Sequence, residues 1–133
     1  MGTGCDFDRA YVWSSEAKYD QVAKLTAADG AASDHFGYSV AMEGDTIVVG
    51  ASGDDFDGGA NLGSAYVFRT SDGGATYSQV AKLTAGDAAG SDNFGHDVAI
   101  NGVDIVVGAR NDNDGGTNSG SAYVFRTSDG SAT

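Results

Sequence analysis

Apolar and polar positions along the chain sort into short β-type blocks separated by Gly- and Asp-rich breaks. "YSVAM" (38 to 42) leads through Glu43-Gly44-Asp45, a tight turn, into "TIVVGA" (46 to 51). "SAYVFR" (64 to 69) follows, and "TSDGG" turns the chain into "YSQVAKLT" (77 to 84). These four blocks, labelled A to D, read as short strands, and no segment offers a helical period with caps. Ile47-Val48-Val49 does not alternate, so strand B is predicted to be buried on both faces. The pattern predicts an all-β fold.

The blocks recur. "QVAKLTAADGAASDHFGYSVAMEGDTIVVGAS" (21 to 52) aligns with "QVAKLTAGDAAGSDNFGHDVAINGVDIVVGAR" (79 to 110), and "GSAYVFRTSDG" stands at both 63 to 73 and 120 to 130. In the second copy Asn101-Gly102 is a strong hairpin signal, and Ile105-Val106-Val107 repeats the doubly apolar strand B. "AYVW" (10 to 13) is a degenerate third copy of AYVF. The boundaries follow: a leader at 1–9, a partial blade of strands C and D at 10–35, a full blade at 36–93, and a second at 94–133 lacking its own strand D. A four-stranded meander repeating at this length is the pattern of a β-propeller blade, in which stacking dries both faces of a central strand. A β-sandwich is the alternative, and it leaves the repetition unexplained.

Phe36-Gly37 followed by Gly50-Ala51-Ser52, and Phe94-Gly95 followed by Gly108-Ala109-Arg110, resemble FG-GAP repeats. Such repeats build the β-propeller of integrin α chains and of many secreted or surface proteins. The resemblance implies an extracellular or cell-surface module for recognition or adhesion, with a protein or glycan as ligand. Two features depart from it. Ser52 and Arg110 replace the proline, and only "EGD" and "NGVD" join strands A and B, where the family's calcium loop usually lies. That calcium site is therefore not carried over.

The net charge of −12 repels nucleic acid and anionic membranes alike, so neither is expected as a partner. Cys5 is the sole cysteine, which excludes an intrachain disulfide. The start has no signal-peptide pattern, and Asp6 breaks a myristoylation motif.

Strand polarity sends the B–C and D–A connections to the same end of a meander. Asp54, Asp55, Asp57, Asp112 and Asp114 lie in the former, Asp29, Asp34, Asp87 and Asp92 in the latter, so the acids are predicted to gather on one rim. Asp112-Asn113-Asp114-Gly115-Gly116 offers alternating oxygens and a sharp turn, which suits calcium. Asp55-Phe56-Asp57-Gly58-Gly59 offers the same with Phe for the amide. The metal candidates are accordingly Asp112, Asn113, Asp114, Asp55 and Asp57. The competing reading is that Asp and Asn cap their own turns while Gly supplies positive φ.

Catalysis finds little support. Ser33-Asp34-His35 holds three triad letters, but adjacency is not triad geometry. His35 is matched by Asn93 and His96 by Tyr38, so both histidines read as loop or strand-start residues, and zinc is not expected. Phe36 and Phe94 read as blade packing. Lys24 and Lys82 read as a solvated outer edge that discourages sheet addition.

The expected function is a non-enzymatic β-propeller module for binding or assembly. Two alternatives are a purely structural propeller fragment, natural or engineered, and a hydrolase using carboxylates such as Asp55 and Asp57. Two blades cannot close a ring, while the strand order C′-D′-A-B-C-D-A-B-C carries a spare D′ at 19 to 26. Head-to-tail association is the expected solution, with three or four chains favoured and a larger ring allowed.

Overall fold

The computed structural model describes residues 18–55, 61–113 and 115–127. Its seven strands are β1 (Phe36–Glu43), β2 (Thr46–Ala51), β3 (Ser64–Arg69), β4 (Ser78–Leu83), β5 (Phe94–Asn101), β6 (Asp104–Ala109) and β7 (Ser121–Arg126). They form two antiparallel meanders, β1-β2-β3-β4 and β5-β6-β7, as expected of propeller blades. No described segment is a helix, so the all-β expectation holds. "AYVW" at 10 to 13, Cys5, Asp57, Asp114 and residues 128 to 133 lie outside the described residues. Residues 19 to 26 are described and belong to neither sheet, with Tyr19 and Val22 exposed.

Glycine shapes each blade at matching points. The first strand slips register between Phe36 and Ser39, and again between Phe94 and Asp97. Gly37 and Gly95 sit in those slips at φ 95° and 93°, a backbone region glycine enters without steric penalty.

Register sorts the side chains into two faces per blade. Val48, Val67 and Ala81 are cross-strand partners on one face of the first blade, and Val49, Tyr66 and Lys82 on the other. The Val48 face packs against the second blade's Phe94, Ile105 and Val107, forming the main core between the blades. Phe94 meets Tyr123 and Phe125 edge-on at 5.4 and 5.9 Å, and Phe36 meets Tyr66 and Phe68 at the same two separations. The blade-packing role read for both phenylalanines is thereby met. The other face of the first blade forms a smaller core, onto which Leu25 and Ala27 pack.

Backbone meets backbone where the blades touch most closely. A Cβ on Gly50 would overlap the carbonyl oxygen of Gly95 and the Ser39 hydroxyl. The Ser39 hydroxyl donates to that same carbonyl at 2.9 Å. The Phe-Gly of one blade thus needs the Gly-Ala of the blade before it.

One expectation fails in the second blade. Strand B was expected to be dry on both faces, and β2 is largely so, but β6 exposes Val106. Val48 is 0% exposed and its counterpart Val106 37%; Val67 is 1% exposed and Val124 67%. The residue types are the same. The difference is the covering layer: the second blade lies over Val48 and Val67, and no described strand lies over Val106 and Val124.

Candidate functional site

The D–A and B–C loops meet at one end of the blades, and a tyrosine from each strand C ties them together. The Tyr66 hydroxyl donates to Asp29 Oδ1 at 2.8 Å and lies 3.3 Å from Asp54 Oδ2. Ser64 donates to the same Asp54 oxygen at 2.5 Å. Lys82 reaches in from β4, with Nζ 2.6 Å from Asp29 Oδ2 and 2.8 Å from Asp54 Oδ2. Its ammonium stands 5.4 Å from the centroid of the Tyr66 ring, within cation–π range. In the second repeat, the Tyr123 hydroxyl is 2.7 Å from both Asp87 Oδ1 and Asp112 Oδ2.

These contacts bias the protonation states. The hydrogen bond from Lys82, then that from Tyr66, holds Asp29 below its ordinary value. Burial works to lower Lys82, but its bonds to Asp29 and Asp54 prevail and its pKa rises. Burial raises Tyr66, with Asp29 and Asp54 adding to it, and burial likewise raises Tyr123, reinforced by Asp87 and Asp112. Asp92 is pushed up by burial against a backbone hydrogen bond at Ala89, with the charges of Asp112 and Asp87 adding to the rise.

Several of the rim acids are buried rather than solvating: Asp34, Asp54, Asp92 and Asp112 are all at most 5% exposed. Asp34 Oδ2 accepts from the Ala31 N–H at 2.8 Å, and Asp92 Oδ2 from the Ala89 N–H at 3.0 Å. On either side of each lies a residue at positive φ, Ser33 and His35 in one repeat, Ser91 and Asn93 in the other. His35 and Asn93 thus share a backbone requirement, which supports reading His35 as a loop residue. His96 lies within β5, its ring centroid 4.7 Å from that of Tyr38.

The B–C loops show how the metal candidates are used. Asp55 Oδ1 accepts from the Asn61 N–H, and Asn113 Oδ1 from the Asn118 N–H, each at 2.5 Å. Asn61 and Asn118 both have φ 55°. The equivalence therefore runs Asp54 with Asp112 and Asp55 with Asn113, one residue off the match suggested by the acidic triplets. Asp55 and Asn113 cap their loops, while Asp112 turns inward to Tyr123. Asp57 and Asp114 lie outside the described residues. Among the described residues, no three His, Cys, Asp or Glu side chains gather as a metal group.

The role of Lys82 is a correction. It is no solvated edge: the Tyr66–Lys82 register turns its side chain onto the tyrosine face, where two carboxylates hold it. Counting inward from the β3–β4 turn would have paired Tyr66 with Ala81; a register shift between Val67 and Phe68 brings Lys82 opposite it instead.

The chain matches the FG-GAP repeat over residues 19–68 and 77–125, well over half its length. The chain belongs to the FG-GAP repeat family. No curated protein matches it. FG-GAP repeats are a non-catalytic module family, typically extracellular or on surfaces. Each matched FG-GAP unit opens on a QVAKLT segment and closes in strand C, running D-A-B-C. A blade of the structure runs A-B-C-D, so the family's unit straddles two blades. Residues 19 to 26 hold in the first matched unit the place that β4 holds in the second.

Proposed function

We propose that this chain is a non-catalytic β-propeller module that associates head-to-tail with copies of itself into a ring, outside the cell or on its surface. The observation that carries the reading is the contrast of Val106 and Val124, exposed, with Val48 and Val67, buried under the next blade. Burying a valine side chain is worth roughly 1.5–3 kcal/mol, so an open blade face favours a partner of the kind that covers its twin. Within the chain, Val48 and Val67 are covered by the tyrosine face of the second blade. The tyrosine face of the first is already closed, with Val49, Tyr66 and Phe68 at most 3% exposed, so a second copy would have to displace what covers it. Three or four chains, six or eight blades, are the favoured rings. A protein or glycan ligand would bind the assembled ring rather than one pair of blades.

Sedimentation velocity on the full chain at micromolar concentration tests this. A closed oligomer that Val124→Asp dissociates supports it, and a well-folded monomer overturns it.

Calcium at the B–C loops is a separate proposal, resting on the alternating oxygens of Asp112, Asn113 and Asp114 together with Asp55 and Asp57. Calorimetry with calcium tests it: heat accompanied by a raised melting temperature supports it. Silence at millimolar calcium leaves those side chains as turn caps alone.

A further inference from the structure

The junction between the two blades turns on one glycine pair, and the chain carries each half of that pair a second time without the other. A Cβ on Gly50 would overlap the Gly95 carbonyl, and a Cβ on Gly95 would overlap the Ser64 carbonyl. The repeats of these two glycines are Gly108 and Gly37. No described atom comes within 4 Å of a Cβ built on Gly37, and the nearest to one on Gly108 is Asp97 Cβ at 3.8 Å. Gly95 is buried, and Gly37 is exposed.

The side chains around each half differ in the same way. Val98 of β5, packed in the core between the blades, is 8% exposed, and Val40, at the same place in β1, is 65% exposed. Ile100 packs against that core, while its counterpart Met42 is exposed. The first blade is thus closed over Val49, Tyr66 and Phe68 and open along β1. Within the chain it is the corresponding strand, β5, that lies against β1, β2 and β3 of the other blade. At the far end, a hollow over Gly108 is bounded by Asp97, Ala99, Val106 and Ala122.

We propose that Gly37 of a second copy of this chain fills the hollow over Gly108, with that copy's β1 crossing β5, β6 and β7 as β5 crosses β1, β2 and β3. The inference rests on the head-to-tail reading and adds the strand that makes the contact and its register. Phe94 bridges to Gly63, its N–H donating to the Leu62 carbonyl at 3.2 Å. Phe36 of the second copy takes that place beside Gly120, which repeats Gly63 at φ 83° against 87°. Val40 of the second copy then comes under cover as Val98 does. One residue departs from the internal junction. Ser39 donates to the Gly95 carbonyl at 2.9 Å, and its counterpart is Asp97, whose Oδ1 accepts from the Val98 N–H at 3.1 Å. A carboxylate has no proton to give the Gly37 carbonyl, so the contact between copies is weaker than the one inside the chain.

Sedimentation velocity on the full chain tests it. Val40→Asp and Val124→Asp place a charge on opposite halves of the contact. Each variant alone is expected to run as a single chain, and an equal mixture as a one-to-one pair, because each supplies the half the other lacks. Asp97→Ser should tighten self-association about tenfold, the worth of one hydrogen bond in place of two opposed acceptors. Val80→Asp, on the outer strand β4, should leave it unchanged. Val40 is exposed in the single chain, so circular dichroism should find Val40→Asp folded. If rings form that Val40→Asp leaves intact, the inference fails and the ring reading stands. A mixture that does not pair, or an Asp97→Ser chain that associates no more tightly, overturns the inference as well. If the unmodified chain stays monomeric, both readings fall.

Discussion

Gly50 and Gly95 face each other across the two blades so closely that the carbonyl oxygen of Gly95 occupies the space a Cβ on Gly50 would need. Gly50 does not have positive φ, so its requirement is for space alone. Gly50→Ala should therefore push the blades apart, at a cost on the order of 3 kcal/mol. At the equivalent Gly108 the nearest atom a Cβ would meet is Asp97 Cβ at 3.8 Å. Gly108→Ala should change the stability of the single chain by less than about 0.5 kcal/mol and act instead on association. Urea unfolding of the two variants at low concentration checks the contrast.

Val67 and Val124 make a second matched pair. Val67→Ala opens a cavity between the blades and is expected to cost about 2 kcal/mol. Val124→Ala, on the open face, should leave the unfolding midpoint of the single chain nearly unchanged. Equal losses at the two positions in urea would contradict the assignment of the two faces.

Lys82→Met removes the cation between Asp29 and Asp54 while keeping the aliphatic stem. Asp54 is 3% exposed, so its carboxylate loses a charged partner with little water to replace it. The expected loss is about 2 kcal/mol, measured by urea unfolding. Lys82→Arg should recover part of that loss.

The same cluster sets a pH dependence. Asp29 has its folded pKa lowered, so its contribution is present above the unfolded value near 4 and is lost as pH falls through the folded one. Lys82 has its folded pKa raised. Its contribution is complete below roughly 10.4 and is lost as pH rises through the folded value. Asp92, raised mainly by burial, acts in the opposite sense to Asp29: it favours the folded state at acid pH and stops doing so as pH rises through its folded value. Stability measured against pH should hold between about 4 and 10 apart from the fall due to Asp92. Lys82→Met should flatten both outer arms, and Asp92→Asn should remove that fall.

Much of this was legible in the residues. Strand B announced itself through Ile47-Val48-Val49, and the repeat offset located its twin, because a doubly buried strand leaves a local apolar run. The gathering of acids on one rim followed from strand polarity alone. Lys82 was misread because a lysine on a strand at the sheet edge looks solvated until its cross-strand partner is known, and that partner, Tyr66, lies across a turn. Burial of Asp34 and Asp92 was illegible for a related reason: the N–H groups they accept from belong to Ala31 and Ala89, residues that carry no polar signal. The exposure of Val124 was not written in its own repeat either, since it depends on what lies over the blade.

The turn between β3 and β4 offers a test independent of assembly. Asp72 Oδ1 accepts from the Thr76 N–H at 3.0 Å and from the Thr70 hydroxyl at 2.7 Å, and Oδ2 from the Thr76 hydroxyl at 2.6 Å. Asp72→Ala is expected to lower the melting temperature while leaving the self-association of the folded chain unchanged.

The central claim is that the exposed face of the second blade is the interface of a ring. Native mass spectrometry of the full chain counts its copies directly. A dominant species of three or four chains of 13.4 kDa, reduced to single chains by Val124→Asp, is the expected result. A single-chain species at micromolar concentration, folded by circular dichroism and unaffected by Val124→Asp, would contradict it.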